Sequence, residues 1–241
     1  MELGIEGRTA VVTGASRGIG AAVAQRLREE GVRVVGVSRG EGIDVCHPGA
    51  AALIAERAGE VDILVNNAGT SFVRGLDELT DEDWQDQYEL NVSAPRRLMQ
   101  AFAPGMARRG WGRIVNVASS SGKRPSLTNA AYSVTKAAEL SLSRVFAEAY
   151  AGRGVLVNAV APGPVSGPLW LAEGGLADQA AAARATTRER VLEEQAAKVP
   201  LGRLIDLDEV AAAIVFLCSE RASAVAGAAW SVDGGTVPGI L

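Results

Sequence analysis

The sequence predicts an α/β fold built on a parallel sheet, and three observations carry that prediction. Short apolar, β-branched runs alternate with longer helix-like segments along the chain, the pattern of strands joined by crossover helices. The first such run leads straight into a glycine-rich turn, and a helix opens directly after it. The length, 241 residues with 48% hydrophobic side chains, suits one large α/β domain with a substantial core. No internal repeat, linker or low-complexity boundary divides it.

Residues 9–13, Thr-Ala-Val-Val-Thr, form the kind of run a buried parallel strand needs. Thr13-Gly14-Ala15-Ser16-Arg17-Gly18-Ile19-Gly20 follows, then a helix over 19–30 closed by Gly31. Strand, glycine turn and helix are the context of a dinucleotide fingerprint. Glycines let the backbone approach a pyrophosphate, and the helix N-terminus presents free N–H groups with a partial positive charge. Residues 32–37 are the second strand, ending at Ser38-Arg39. In NAD-binding units an acid here holds the ribose 2′-hydroxyl, whereas an Arg accommodates the 2′-phosphate of NADP. No acid stands at this strand end. Arg39, with Arg17 as a second cation, offers the planar fork that fits a phosphate. Glu41 and Asp44 are nearby acids that could instead reach a ribose.

Ile43-Asp44-Val45 is expected as a third strand, reached too soon for a crossover helix. A helix over 48–58 and a fourth strand over 61–65 come next, then the turn Asn66-Asn67-Ala68-Gly69. Asn67 is assigned a structural role there, bonding backbone groups at the strand ends. A polar loop over 70–80 precedes a helix over 81–90, with Thr80 and Asp83 as a capping box. Asn91 falls inside a helical stretch continuing to 109, a position unfavourable for Asn unless its side chain has a partner. The fifth strand, 112–117, ends in Ala118-Ser119-Ser120-Ser121-Gly122, beyond a strand's carboxyl end, where ligands sit in open α/β sheets.

A helix over 129–151 carries Tyr132 and Lys136, four residues apart and therefore on one face. A cation beside a phenol favours the phenolate, which makes the pair a candidate general acid/base centre. The sixth strand, 155–160, ends in Ala161-Pro162-Gly163-Pro164. Residues 165–200 are rich in Gly and Pro, then in Ala and charge; a loop with one or two helices is expected over the site's mouth as a lid. Asp206 or Asp208 caps a helix running to 219, and a last strand over 228–232 closes on Asp233-Gly234-Gly235. The apolar tail, 236–241, is expected to pack on the fold or on another subunit.

Composition removes several function classes. A net charge of −4 and a pI of about 5.2 argue against a nucleic-acid partner. No apolar run approaches the ~18 residues a membrane span requires, and the first residues lack the pattern of a signal peptide. Cys46 and Cys218 suit a reducing cytoplasm, and the single His47 with no His/Cys cluster leaves no metal site to expect.

In order, the motifs Thr13-Gly-Ala-Ser-Arg-Gly-Ile-Gly20, Asn66-Asn-Ala-Gly69, Asn91-Val-Ser-Ala94, Gly112-Arg-Ile-Val-Asn-Val-Ala-Ser119, Tyr132-Ser-Val-Thr-Lys136, Val157-Asn-Ala-Val-Ala-Pro-Gly163 and Asp233-Gly-Gly235 resemble those of the compact short-chain dehydrogenase/reductase family. The resemblance covers essentially the whole chain and is nearest to its 3-oxoacyl-carrier-protein-reductase-like members. It implies a single Rossmann domain, a mostly parallel seven-stranded sheet with helices on both faces. It implies that Tyr132 is the catalytic acid/base, that Lys136 assists it and bonds the nicotinamide ribose, that Ser119 bonds the substrate oxygen, and that Asn91 holds a water in a proton relay. For the cofactor it implies Gly14, Ser16, Arg17, Gly18, Ile19 and Gly20 at the pyrophosphate, and Ser38 and Arg39 at the adenosine phosphate. Asp44 and Val45 would border the adenine, and Asn66, Ala68 and Gly69 the ribose. Pro162, Gly163 and Val165 would lie on the nicotinamide side.

Two departures stand out: no helix separates the second and third expected strands, and Ser166 replaces the usual Thr after the Pro-Gly turn. The activity so implied is NADP(H)-dependent interconversion of a small-molecule carbonyl and a secondary alcohol, in a homotetramer or dimer. The alternatives are an NAD-linked alcohol dehydrogenase and a non-catalytic nucleotide-binding sensor.

Overall fold

A computed structural model describes residues 2–239. Its centre is a parallel sheet of β1 (Thr9–Thr13), β2 (Arg33–Val37), β3 (Ile63–Asn66), β4 (Gly112–Val117), β5 (Val155–Pro162) and β6 (Ala229–Val232), in spatial order β2-β1-β3-β4-β5-β6. Successive residues of a strand point to opposite faces, and β1 shows the result. Ala10 and Val12 enter one core with Ile63, Val65 and Val115; Val11 enters another with Leu64 and Ile114. Helices α1 (Gly18–Glu29) and α9 (Leu207–Leu217) cover the first core through Val23, Leu27 and Ile214. Helices α2 (Ala50–Ala58), α4 (Ala94–Arg109) and α5 (Ala130–Tyr150) cover the second through Ile54, Met99 and Phe146. With both faces covered, β1, β3 and β4 are buried at every position.

The sheet has six strands among the described residues, not seven. Ile43-Asp44-Val45 is loop, preceded only by a 3₁₀ turn, Arg39–Glu41. Ile43 and Val45 are nevertheless buried, packing against the second core beside Val37. Their apolar alternation reflects that burial; the short connection lets them cap the sheet edge without pairing to β2.

Helix α3 (Asp81–Tyr88) begins at the Thr80–Asp83 capping box: the Asp83 N–H donates to Thr80 Oγ1 at 3.2 Å, and the Thr80 N–H to Asp83 Oδ2 at 2.9 Å. Between α3 and α4 the chain is wound as a π turn, Glu89–Ser93, centred on Asn91. Pro95 has no N–H to give to the carbonyl of Asn91, the bond an α-helix would need there. Residues 165–200 hold three short helices, α6 (Pro168–Leu171), α7 (Leu176–Ala183) and α8 (Arg188–Ala197), where one or two were expected. Asp206 is the N-cap of α9. The tail turns on Asp233, whose carboxylate accepts the N–H groups of Gly235 and Val237; Ile240 and Leu241 lie outside the described residues. No described helix is long and apolar enough to cross a membrane.

Candidate active site

The strand order reverses at β1, which sends its chain to β2 on one side and pairs with β3 on the other. A crevice opens at the carboxyl ends there, as the geometry of open α/β sheets requires. Thr13 ties its two walls together: its Oγ1 accepts the N–H groups of Asn67 and Ala68 at 2.9 and 3.0 Å. Asn67 returns the bond through Nδ2 to the carbonyls of Thr13 and Gly14, at 2.9 and 3.3 Å, the structural role its turn position predicts. Gly14 holds φ at 65°, a left-handed conformation suited to glycine. Gly20 is needed for closeness: a Cβ there would stand 2.3 Å from the Gly14 carbonyl oxygen. The first turn of α1 thus presses on the glycine loop and points its free N–H groups into the crevice.

The resulting groove has a volume of about 640 Å³. Gly14, Ser16, Arg17, Gly18 and Ile19 line its middle; Ser38, Arg39, Asp44 and Val45 its outer end; Ala68 and Gly69 the floor; and Pro162, Gly163 and Val165 the inner wall. Arg17 and Arg39 are exposed there, whereas Glu41 is bonded to Ser38 Oγ at 3.1 Å and does not line the groove. A backbone cradle, a helix N-terminus and two cations make a surface that fits a dinucleotide diphosphate. Cys46 also faces the groove, but burial and then the Asp44 carboxylate push its thiol up to about 11, so it is no nucleophile at neutral pH.

Two expected groove residues lie elsewhere. Asn66 is turned into the sheet, its Nδ2 donating to Asn116 Oδ1 at 2.7 Å, because the last residue of β3 faces its neighbour on β4. Gly20 sits behind the glycine turn rather than in the groove.

At the inner end stand Ser119, Tyr132 and Lys136. A second cavity, about 430 Å³, meets the groove here, and Ser119, Tyr132, Gly163, Leu169 and Trp170 line both. Ser119 follows β4 and begins a 3₁₀ turn, Ser120–Gly122, its Oγ accepting the Ser121 N–H at 3.0 Å. Gly122 lets this turn touch α5: a Cβ on it would lie 2.8 Å from the Lys136 carbonyl carbon. Lys136 Nζ lies 5.7 Å from the Tyr132 ring centroid and donates to the Val117 carbonyl at 2.8 Å.

Asn91 is fully buried, outside the groove, and donates through Nδ2 to Gln87 Oε1 and Thr135 Oγ1 at 2.8 and 3.0 Å. Its Oδ1 has no protein partner among the described residues. A methyl group placed on Gly69 would be 3.8 Å from both that oxygen and Lys136 Nζ, so both atoms border one small space.

Two features of the site had escaped the sequence. Glu139, one turn beyond Lys136, is buried and bonded to Lys136 Nζ at 2.7 Å. Burial drives its carboxyl above the usual carboxylate range, against the pull of Lys136. For Lys136 burial is the largest single influence and opposes the charge, but Glu139 and Tyr132 together outweigh it and hold the lysine above its ordinary value. Ser71 lines the second cavity with a buried hydroxyl that lacks a protein partner. Nothing in local sequence marks either residue; an acid in a helix reads as a solvated face, and a loop serine as a turn.

The far wall of the second cavity comes from residues 165–200, among them Leu176, Ala180, Val191 and Gln195, and from Thr236 and Val237 of the tail. Gln179 ties α7 to the 70–80 loop by accepting the Val73 N–H at 2.9 Å.

A family model described as enoyl-(acyl carrier protein) reductase matches residues 43–237, and one described as short chain dehydrogenase matches residues 8–45. The chain is 35% identical to 3-oxoacyl-[acyl-carrier-protein] reductase of Vibrio cholerae, with 97% of this chain and 98% of that protein covered. It is 34% identical to D-beta-hydroxybutyrate dehydrogenase of Cupriavidus necator, over 97% and 99% of the two chains. Its fold superposes on L-sorbose reductase of Gluconobacter frateurii, solved with NADPH and L-sorbose, with a TM-score of 0.87, 33% identity and full coverage of both chains. A groove shaped for a dinucleotide, a serine and a tyrosine at its inner end, and relatives matched along the whole length all lead to one assignment: the chain belongs to the NAD(P)-dependent short-chain dehydrogenase/reductase family.

Proposed function

We propose that the protein reduces a small-molecule carbonyl, or oxidises the matching secondary alcohol, with NADP(H), and that Tyr132 carries the proton. The observation behind this reading is that Ser119 and Tyr132 line both the dinucleotide groove and the second cavity. A substrate oxygen at that junction meets two hydroxyls. Ser119 and Tyr132 stabilise the charge that develops on it, and the phenol then gives up its proton. A nicotinamide held in the groove would supply or accept the hydride. Lys136 orients the ribose beside it, and the small space shared by Asn91 Oδ1 and Lys136 Nζ suits a water that refills the proton. Residues 165–200 act as the lid that excludes water during the reaction.

NADP(H) is favoured by Arg17 and Arg39 in the groove and by the NADPH bound in the L-sorbose reductase structure. Asp44 lines the same end and is the basis of an NAD-linked reading, but its Oδ1 already accepts the Cys46 N–H at 2.9 Å. The second cavity bears Arg124 and Lys198, along with Arg184, which is already paired with Glu194, and no carboxylate among its lining residues, while Phe72, Leu169 and Trp170 supply apolar walls. That balance favours a substrate with an anionic group some distance from its carbonyl over a neutral sterol. Exposed Val134 and Val145 on α5 support assembly into a homo-oligomer; a monomer by sedimentation would remove that part.

The test is Tyr132→Phe in a turnover screen of keto acids, acyl thioesters, ketosugars and sterols with NADPH. Turnover should fall by about 10²–10⁴-fold while NADPH binding is kept. Undiminished activity in the variant overturns the proposal.

A further inference from the structure

We propose that Ser71 determines which substrates the site accepts. Its hydroxyl bonds an oxygen, of a hydroxyl or a carboxylate, that the substrate carries a short way along its chain from the reacting carbonyl. The substrate is then a hydroxyketone or a keto acid rather than a plain alkyl ketone. This class rests on the proposed reading of the second cavity as the place the substrate occupies.

Buried polar side chains are nearly always bonded, so one without a partner calls for an explanation. Among the described residues three buried side-chain atoms lack one: Asn66 Oδ1, Asn91 Oδ1 and Ser71 Oγ. Of the three residues, Ser71 alone lines the second cavity. The two asparagines bond through their amides, Asn66 to Asn116 and Asn91 to Gln87 and Thr135. Ser71 has a single polar atom in its side chain, and that atom is unbonded. At 6% exposure, solvent does not serve it either.

Other hydroxyls on the cavity wall are already engaged. Ser119 Oγ accepts the Ser121 N–H, Ser126 and Thr128 bond each other at 3.0 Å, and Thr236 Oγ1 donates to the Asp233 carbonyl at 2.6 Å. The free hydroxyl is also close to the chemistry. Ser71 is two residues beyond Gly69, where an added methyl would stand 3.8 Å from Lys136 Nζ. Two residues of chain span at most ~7 Å, which keeps Ser71 at the reacting end of the cavity.

The segment that carries it is held on several sides. The Val73 N–H donates to Gln179 Oε1 on α7, and the Arg74 N–H to the Thr128 carbonyl in the loop before α5, each at 2.9 Å. The Arg74 side chain pairs with Asp83 on α3. A hydroxyl fixed in this way binds without first losing freedom. It both donates and accepts, so it suits a substrate hydroxyl and a carboxylate alike. Arg124 and Lys198 on the same cavity draw an anion toward it. A substrate with an alkyl group at that position leaves Ser71 buried and unbonded, the way a polar site rejects an analogue lacking the oxygen.

The test titrates wild type and Ser71→Ala, both with NADP bound, with two pairs of probes. Hydroxyacetone is set against methyl ethyl ketone, in which a methyl replaces the hydroxyl. Acetoacetate is set against methyl isobutyl ketone, in which an isopropyl group replaces the carboxylate. Wild type should bind at least one oxygenated probe more tightly than its partner, by about 3- to 10-fold for the hydroxyl or about 10- to 100-fold for the carboxylate. Ser71→Ala should erase that margin and leave the plain ketones unchanged. The pair that responds tells a hydroxyl from a carboxylate. A wild type with no preference in either pair overturns the proposal, as does a preference that survives in Ser71→Ala.

Stability gives a second readout. Removing an unbonded buried hydroxyl should leave the Tm of the ligand-free protein unchanged or raised. A lower Tm with the probe preference unmoved would mean that the hydroxyl serves the fold, and would overturn the proposal too. Absence of turnover in the wild type removes the proposed function but leaves this selectivity intact, since binding needs no hydride transfer.

Discussion

The glycine turn and the Tyr132 centre lie at opposite ends of one groove and are built on opposite principles. At the turn the chain offers backbone to the groove: Gly14, Gly18 and the free N–H groups of α1, pinned by Thr13 and Asn67. The tolerance there is steric: at Gly20 a Cβ would stand 2.3 Å from the Gly14 carbonyl oxygen, where there is no room for one. At the Tyr132 centre side chains on a long helix face the groove, and what holds them is electrostatic, the buried pair of Lys136 and Glu139. The two ends should therefore fail differently: the turn by losing binding and stability together, Tyr132 by losing rate while binding is kept.

Substitutions at the nucleotide end sharpen that contrast. Gly20→Val should have the largest effect, because its Cβ meets the Gly14 carbonyl oxygen and Asn67 Nδ2. Overpacking of this kind costs about 1–3 kcal/mol or more. Titrated by fluorescence, the variant should bind NADPH at least ~100-fold more weakly, a loss of about 2.8 kcal/mol. Near-normal affinity would break the claim that the turn is set sterically. Thr13→Val comes next. It strands the N–H groups of Asn67 and Ala68, at about 1–3 kcal/mol for a buried group left unpaired, and calorimetry should show Tm lower by roughly 5 °C. An unchanged Tm would mean that β1 and β3 are held by packing alone. The mildest is Arg39→Asp, in an exposed position. NADPH should bind about 10-fold more weakly, the loss of one charge-assisted bond, with NADH little changed. Equal loss for both cofactors would assign Arg39 to the shared diphosphate instead.

The same division decides how much could be read in the chain. Backbone-determined parts were legible, because a strand, a glycine spacing and a helix start are local. The sequence placed β1, the glycine turn and α1 almost to the residue, and the Thr80–Asp83 cap as well. Ile43-Asp44-Val45 misled because burial imposes alternation on a loop as readily as on a strand. Asn66 misled because its position at a strand end leaves open which way the side chain turns, and Asn116 takes it. Glu139 and Ser71 were silent for a different reason. Their meaning comes from what tertiary packing sets beside them, and the second cavity is walled by segments around 71, 124, 170, 191 and 237 that no local pattern connects.

The contact at Gly122 has a consequence for how such a protein can change over time. Because the serine turn and α5 touch backbone to backbone, Ser119 and Tyr132 move as one rigid unit, whereas the cavity walls come from separate loops and short helices. Inherited changes at Val191, Gln195 or Arg124 can alter what the second cavity admits without disturbing Ser119 and Tyr132. A lineage built this way can diversify its diet while its chemistry stays fixed.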